Sequence, residues 1–256
     1  MRDLSVDANI PDDRQWVESL EASAQSPNSA LPGFPSAELQ TLWVGSVGPA
    51  SIREVVPFYR LIKSRADFRI GPILDFGIGW GRVSRFFLND VPSDQIYGVD
   101  VNSYILEECR RLKVRANLTH IDSFGTLPFP DGSFSVVYAY SVLTHLNKRG
   151  ADHWAKEIAR VLHPNGIFVP TLFTDDIFDQ CRNLSTPDEM FGDLSSAENS
   201  YRDGEFVFAG YVNTLDENYG KAAIPISYIQ KNWPFIISEY HRDLGFHQGA
   251  CVLRRR

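Results

Sequence analysis

Three glycines spaced two residues apart follow a short apolar run near residue 75. The segment reads I-L-D-F-G-I-G-W-G-R (73–82), so Asp75 precedes Gly77, Gly79 and Gly81. Glycines at such a turn let the backbone approach a ligand closely and adopt conformations that other residues avoid. The dinucleotide pattern G-x-G-x-x-G seats a pyrophosphate at a helix N-terminus, whereas the spacing here is G-x-G-x-G and an acid precedes it. The segment therefore favours a cofactor with an amine or a positive charge over a dinucleotide.

A second acid, Asp100, ends the next apolar run, Q-I-Y-G-V-D (95–100). A carboxylate at the end of a second strand can accept two hydrogen bonds from ribose hydroxyls. This acid alone does not separate NAD from other adenosine cofactors. Together with the glycine loop, it predicts an adenosine cofactor at the carboxyl ends of two neighbouring strands.

Alternating strand and helix patterns place these residues in one kind of sheet. Short apolar runs predict strands at 72–76, 95–100, 116–122, 133–143 and 166–173. Apolar residues at helical spacing predict helices at 82–90, 103–113 and 151–163, and a further helix from about 50 to 65. Strand alternating with helix over about 100 residues indicates right-handed βαβ units and a parallel sheet.

The pattern divides the chain into four parts. Residues 1–50 are predicted to form an N-terminal extension or cap, and residues 51–173 the cofactor-binding core. Residues 174–225 are polar with no clear period, which predicts a lid-like insertion that shapes an acceptor site. Residues 226–256 are predicted to complete the sheet with two closing strands.

Composition limits the partners and the compartment. The 256 residues carry a net charge of −7, which argues against nucleic acid as the main partner because phosphate binding needs a basic face. Three cysteines without C-x-x-C spacing favour a reducing, cytoplasmic compartment over a disulfide framework or a zinc site. No apolar run approaches membrane-spanning length and the first residues are polar, so neither a membrane partner nor a signal peptide is expected. The composition leaves a homo-oligomer open.

From about residue 70 to 173 the chain resembles the class I S-adenosylmethionine-dependent methyltransferases. The resemblance lies in four blocks, L-D-F-G-I-G-W-G-R (74–82), Y-G-V-D-V-N (97–102), residues 127–146 and residues 160–173, with weaker agreement at 226–256. It implies an α/β fold: a Rossmann-like, doubly wound, mostly parallel seven-stranded sheet with an antiparallel C-terminal strand. It also implies S-adenosyl-L-methionine as the cofactor and S-adenosyl-L-homocysteine as its product.

The resemblance also implies roles for individual residues. The backbone at the three glycines would follow the methionine and ribose, Asp75 would hold the methionine ammonium, and Asp100 would bind the ribose hydroxyls. The remaining implied cofactor-binding residues are Phe76 and Arg82 beside the loop, Val101 and Asn102 flanking the adenine, Asp122 or Ser123 at the adenine edge, and Tyr140 and Ser141 beneath the transferred methyl group.

His145 follows the fourth predicted strand and is the candidate catalytic residue. Histidine titrates near neutral pH and can remove a proton from an acceptor hydroxyl or amine. The alternative is a structural histidine that holds its own loop. The histidines show no metal-ligand spacing, so no metal is expected.

Three functions remain open at this point. The first is methyl transfer to an oxygen or nitrogen of a small-molecule acceptor, such as a sugar or a secondary metabolite. The second is an NAD-dependent oxidoreductase, and the third is a non-catalytic protein that binds an adenosine cofactor. Aromatic residues in the insertion are compatible with an apolar or sugar-like acceptor, but core packing of the insertion explains them equally well.

Overall fold

The computed structural model describes residues 13–26, 30–184, 190–211, 218–244 and 248–256. Parts of the predicted N-terminal extension and of the predicted insertion lie outside these described residues. The strands are β1 (Ile73–Phe76), β2 (Ile96–Asp100), β3 (Asn117–His120), β4 (Phe134–Ala139), β5 (Leu162–Phe173), β6 (Val207–Gly210), β7 (Gly220–Ala223), β8 (Phe235–His241) and β9 (Gln248–Arg255).

The helices surround this sheet. They are α1 (Arg14–Gln25), α2 (Ala37–Val44), α3 (Pro49–Arg53), α4 (Val56–Arg65), α5 (Ser103–Arg111), α6 (Lys148–Val161), α7 (Asp176–Arg182), α8 (Leu194–Arg202) and α9 (Ile226–Asn232). Short 3-10 helices span Phe68–Ile70, Ser84–Asn89, Ser93–Gln95 and Leu143–His145. No helix in the described part of the chain has both the length and the apolar character needed to cross a membrane.

Seven strands form one sheet in the order β3-β2-β1-β4-β5-β9-β8. The first five are parallel to their neighbours, and β9 runs antiparallel to both β5 and β8. The strand order reverses between β1 and β4, where Asp75 lies opposite Gly98 on β2 and Tyr138 on β4. The predicted fold class is confirmed, and this reversal marks the edge where such sheets bind ligands.

Apolar clusters cover both faces of the sheet because successive strand side chains point to opposite faces. Leu74 packs into one cluster with Trp154 of α6. Its neighbour Ile73 packs into the other cluster with Leu20 of α1 and Tyr59 of α4. Helix α1 of the predicted N-terminal extension thus contributes to the core, while the four-part division of the chain stays a prediction.

The predicted helix at 82–90 is a short 3-10 helix, Ser84–Asn89, and this expectation was wrong in helix type. The Phe86 and Asp90 N–H groups donate to carbonyls three residues earlier, at Val83 and Phe87. Pro92 follows closely, and the residue before a proline is disfavoured in α-helical conformation.

Other boundaries shifted for local reasons. The predicted fourth strand at 133–143 ends at Ala139, because Ser141 has a φ of +57° and turns the chain. The predicted helix near 50–65 is two helices, α3 and α4, and Pro57 lies in the first turn of α4, where a proline is tolerated. Helix α6 begins at Lys148, before the predicted start, because the Asn147 side chain caps it by accepting from the Gly150 N–H.

The predicted insertion has a small core of its own. Helices α7 and α8 and the hairpin β6–β7 enclose an apolar cluster that includes Phe173, Phe178 and Val207. The hairpin reaches the main body through an isolated bridge between Tyr219 and Leu146, next to His145. The insertion is therefore anchored at the end of β4.

Candidate functional site

The glycine loop, residues 77–81, turns sharply out of β1. Gly77, Gly79 and Gly81 have φ values of +79°, +54° and +77°, all in the left-handed region. Side chains other than glycine are strained there. A Cβ atom on Gly77 would also lie 2.4 Å from Cγ2 of Val142, so both conformation and space require glycine at this position. The local backbone is that of a ligand-cradling turn.

Asp100 at the end of β2 holds the glycine loop. Its Oδ2 accepts the Gly79 N–H at 3.0 Å, and its Oδ1 accepts the Asn102 N–H at 2.9 Å. Burial raises the pKa of Asp100, and these backbone hydrogen bonds act in the opposite direction. Each carboxylate oxygen has two lone pairs. Asp100 can therefore keep the loop in place and still accept from two ligand hydroxyls.

Asp75 lies deeper, with 1% of its surface exposed. Its Oδ2 has no hydrogen-bond partner among the described residues, and neither have the buried hydroxyls of Ser84 and Tyr138. Burial raises the pKa of Asp75 to about 7; the nearby hydroxyls of Tyr138 and Ser84 oppose the effect and the charge of Asp100 adds to it. A buried carboxylate oxygen without a donor is suited to an ammonium ligand, reached directly or through water.

The predicted adenine contacts lie along the same edge of the sheet. Val101 is half exposed, and Asn102 accepts the Ile105 N–H at 3.2 Å as the cap of α5. Asp122 and Ser123 are exposed in the segment that follows β3. Since β2 and β3 are parallel, their carboxyl ends place these four residues near one another; their cofactor contacts stay a prediction.

Ser141 at the end of β4 has a φ of +57°, which is uncommon for a residue other than glycine. Its N–H donates to Thr171 Oγ1 at 2.7 Å, and its Oγ accepts from Gln248 Nε2 at 3.0 Å. Thr171 in turn donates to Gln248 Oε1 at 2.6 Å. Strands β5 and β9 therefore hold the backbone of β4 in a strained turn beside the glycine loop, a place where strain is commonly functional.

Three other predicted cofactor-binding side chains are engaged with the protein. Phe76 packs on Trp154 in the core at 5.0 Å between ring centroids. Arg82 is buried and pairs with Glu54 at 2.9 Å. The Arg82 guanidinium also lies over the ring of Tyr140, 5.0 Å from its centroid. These contacts explain the positions of the side chains without a ligand, and their cofactor roles stay predictions.

His145 is oriented by the hairpin of the insertion. Its Nδ1 lies 2.9 Å from the Gly220 carbonyl and 3.1 Å from the Tyr211 hydroxyl. A carbonyl only accepts, so we assign the proton to Nδ1, which leaves Nε2 as an acceptor. The imidazole stacks on Tyr219 at 5.1 Å. Burial lowers the pKa of His145 to about 4, and the charge of Lys221 acts in the same direction. His145 is thus neutral at pH 7 and only weakly basic.

Arg85, on the 3-10 helix after the glycine loop, is a buried cation. It is 1% exposed, and its guanidinium donates from Nε to the Gly81 carbonyl at 3.1 Å. It also donates to the carbonyls of Pro32 and Gly33, at 3.4 Å each. The Phe34 and Trp80 rings flank it at 4.2 and 4.9 Å from their centroids. Arg85 therefore joins the glycine loop to the chain segment before α2.

Comparison with known proteins identifies the central segment. Residues 73–166 match the family model of a methyltransferase domain. The chain is similar to the sterol 24-C-methyltransferase erg6 of Aspergillus fumigatus, with 34% identity over 44% of the chain and 32% of the relative. It is also similar to the fatty-acid O-methyltransferase of Mycolicibacterium smegmatis, with 32% identity over 48% of the chain and 43% of the relative. The chain thus spans less than half the length of these two relatives.

A solved structure shares the fold. It is an S-adenosylmethionine-dependent methyltransferase from Clostridium acetobutylicum, with a TM-score of 0.54 and 10% identity, and the match covers 85% of this chain and 96% of that one. At this identity the likeness concerns the fold alone. With the matched domain, it confirms the resemblance predicted from the glycine loop and Asp100, and with it S-adenosylmethionine as the cofactor of the class. Residues 73–166 are thus matched by a methyltransferase domain, and the chain is similar there to the class I S-adenosylmethionine-dependent methyltransferases.

Proposed function

We propose that this protein transfers a methyl group from S-adenosylmethionine to an oxygen or nitrogen of a small-molecule acceptor. The observation that carries the proposal is the pairing of two buried acids at the strand-order reversal. Asp75 offers a carboxylate oxygen that accepts no hydrogen bond from the described residues. Asp100 offers two oxygens, each of which can accept one more hydrogen bond. An ammonium and a pair of ribose hydroxyls are the groups that these acids fit.

The chain's own residues would bind and orient the cofactor. The left-handed glycine loop lets the backbone approach the ligand, and Asp100 fixes the loop through the Gly79 N–H. S-adenosylmethionine, when bound, supplies a sulfonium methyl group whose displacement leaves a neutral thioether. Most of the work that remains for the protein is to align the acceptor and exclude water.

His145 would act at the acceptor. Its Nδ1 is held by the Gly220 carbonyl, so Nε2 can accept a hydrogen bond from an acceptor hydroxyl or amine. With a pKa of about 4, it would take up a proton only late in the transfer, as the acceptor becomes acidic on methylation. Positioning the nucleophile is therefore its larger contribution in this proposal.

The relatives do not indicate which atom of the acceptor is methylated. By name, one similar protein is a sterol 24-C-methyltransferase and another a fatty-acid O-methyltransferase, so related domains serve different atoms. Aromatic rings of Tyr211 and Tyr219 beside His145 support an acceptor with an apolar or sugar-like face. A cytoplasmic location is also proposed, supported by the three free thiols of Cys109, Cys181 and Cys251.

Parallel calorimetric titrations with S-adenosylhomocysteine and NAD test the cofactor. We expect binding of the first alone; binding of NAD in its place would point to an oxidoreductase. A labelled-methyl assay against sugars, phenols, amines and carboxylates then tests the transfer. Binding of S-adenosylhomocysteine with no labelled product from any acceptor would favour a non-catalytic cofactor-binding protein.

A further inference from the structure

Lys221 lies on β7, directly after the residue that orients His145. Its neighbour Gly220 accepts from His145 Nδ1, and Lys221 itself pairs with Ala209 across the hairpin. The Lys221 ammonium lies 5.7 Å from the ring centroid of Tyr211 and 5.8 Å from that of Phe173, at the end of β5. The cation is thus held between aromatic faces at the carboxyl edge of the sheet.

The charge of Lys221 has no counter-ion among the described residues. The side chain is half-buried, and burial lowers its pKa. Lys63, whose side chain is more deeply buried, differs because it pairs with Asp90 at 2.7 Å. An ammonium withdrawn from water without an acid costs free energy that a bound anion would recover. Such uncompensated cations are candidates for ligand sites.

The surroundings of Lys221 connect it to the proposed site. Its charge acts on the pKa of His145, which places the two groups within electrostatic reach of each other. Burial raises the pKa of Tyr219, the residue before β7, and the charge of Asp100 adds to that effect, so the start of the strand lies within electrostatic reach of Asp100. The segment 219–221 therefore carries both the cation and the ring that stacks on His145.

We infer that the methyl acceptor is an anion, and that Lys221 binds its carboxylate or phosphate group while Tyr211 and Tyr219 contact its apolar part. This inference rests on the proposed methyl transfer and adds the substrate class to it. The ammonium gives the anionic group a charge-assisted hydrogen bond, which is stronger than a bond between neutral groups. The aromatic faces would then favour an apolar or aromatic body attached to that group.

A purely structural lysine would behave differently. If Lys221 served only to stabilise the insertion through its contacts with Tyr211 and Phe173, then Lys221→Met would lower the melting temperature and leave ligand preference unchanged. If it is an anion site, removal of a half-buried charge that has no counter-ion among the described residues raises the melting temperature of the unliganded protein and removes the preference for anions.

The test compares matched probes on the full chain saturated with S-adenosylhomocysteine. The probes are benzoate, 4-hydroxybenzoate, octanoate and dodecanoate, with phenyl phosphate as a second anion, and each carboxylate is paired with its primary amide. Binding is measured by ligand-observed NMR for wild type and Lys221→Met. Lys156→Met, which removes an exposed lysine of α6, is the control.

We expect wild type and Lys156→Met to bind at least one carboxylate or the phosphate about tenfold more tightly than its neutral partner. Lys221→Met should lose this ratio and keep its affinity for S-adenosylhomocysteine within about twofold. The inference is overturned if no anion binds preferentially to wild type, or if the preference survives in Lys221→Met. Failure of wild type to bind S-adenosylhomocysteine would instead overturn the proposed function.

Discussion

Replacement of Asp75 by asparagine should stabilise the unliganded protein, and more so as the pH rises. Asp75 is 1% exposed, and burial raises its pKa to about 7 from an ordinary value of 3.8. The folded protein therefore keeps the proton over a pH range in which the unfolded chain releases it. Ionisation in the unfolded chain favours unfolding, so the carboxyl group costs stability from about pH 4 upward and reaches its full cost near pH 7.

The magnitude follows from the two pKa values. Linkage gives a cost of about 4 kcal/mol at pH 7 and about 2 kcal/mol at pH 5. Asn does not titrate, so Asp75→Asn should gain about 2 kcal/mol relative to wild type between these pH values. Other titrating groups are common to both proteins and largely cancel in the difference.

Urea unfolding of both proteins at pH 5, 6 and 7, without ligand, measures this difference. Asp122→Asn, which removes an acid whose side chain is exposed beyond β3, is the control. Calorimetry supplies a second measurement, because an ammonium ligand would ionise Asp75 and release a proton near pH 7. The wild-type binding enthalpy should then depend on the buffer, and that of Asp75→Asn should not. A stability difference that is constant with pH would refute the reasoning, since Asp75 would then be ionised without ligand.

Three further outcomes test the site. Asp100→Ala removes the acceptor of the Gly79 N–H and the proposed ribose contact. Calorimetry should therefore show the affinity for S-adenosylhomocysteine lowered about 10- to 100-fold. Unchanged affinity would contradict the assignment of Asp100 to the ribose. Because the pKa of His145 is about 4, its ionisation should leave turnover constant between pH 6 and 8. His145→Gln should lower turnover on the order of 100-fold and retain the affinity for the cofactor. A change of wild-type turnover with a midpoint near pH 6.5 would argue against the buried environment of His145. Gly77→Ala places a Cβ 2.4 Å from Val142 at a φ of +79°, so chemical denaturation should show that the free energy of unfolding falls by about 2 kcal/mol or more. Val142→Ala in the same chain should restore part of this stability. If it restores none, the contact with Val142 is not the cause.

The parts of the site that could be predicted are those encoded by neighbouring residues. Asp75 and the three glycines lie within seven positions of one another, and their types alone specify a tight turn after a strand. Asp100 could be placed because parallel strands bring their carboxyl ends to one edge. The seven-stranded sheet followed from alternation of strand and helix and from the family resemblance.

The parts that were missed depend on distant contacts. The carbonyl that fixes the His145 ring belongs to Gly220, 75 residues later, in a segment without a clear period. The helix type at Ser84–Asn89 depends on local hydrogen bonding that apolar spacing cannot distinguish, because Phe86 and Phe87 are buried in either helix. The buried Asp75 oxygen that accepts no hydrogen bond from the described residues could not be predicted, because the side chains near it, Ser84 and Tyr138, come from other parts of the chain.

The burial of Arg85 has a consequence for the smallest unit that can fold on its own. One of its three carbonyl partners, Gly81, lies in the matched segment 73–166. The other two, Pro32 and Gly33, lie far before it. A chain shortened to begin at residue 51 would leave this guanidinium with two of its three acceptors removed and the Phe34 ring gone from its face. We therefore expect the matched segment 73–166 not to fold on its own, because residues that complete its interior precede it by some forty positions in the chain.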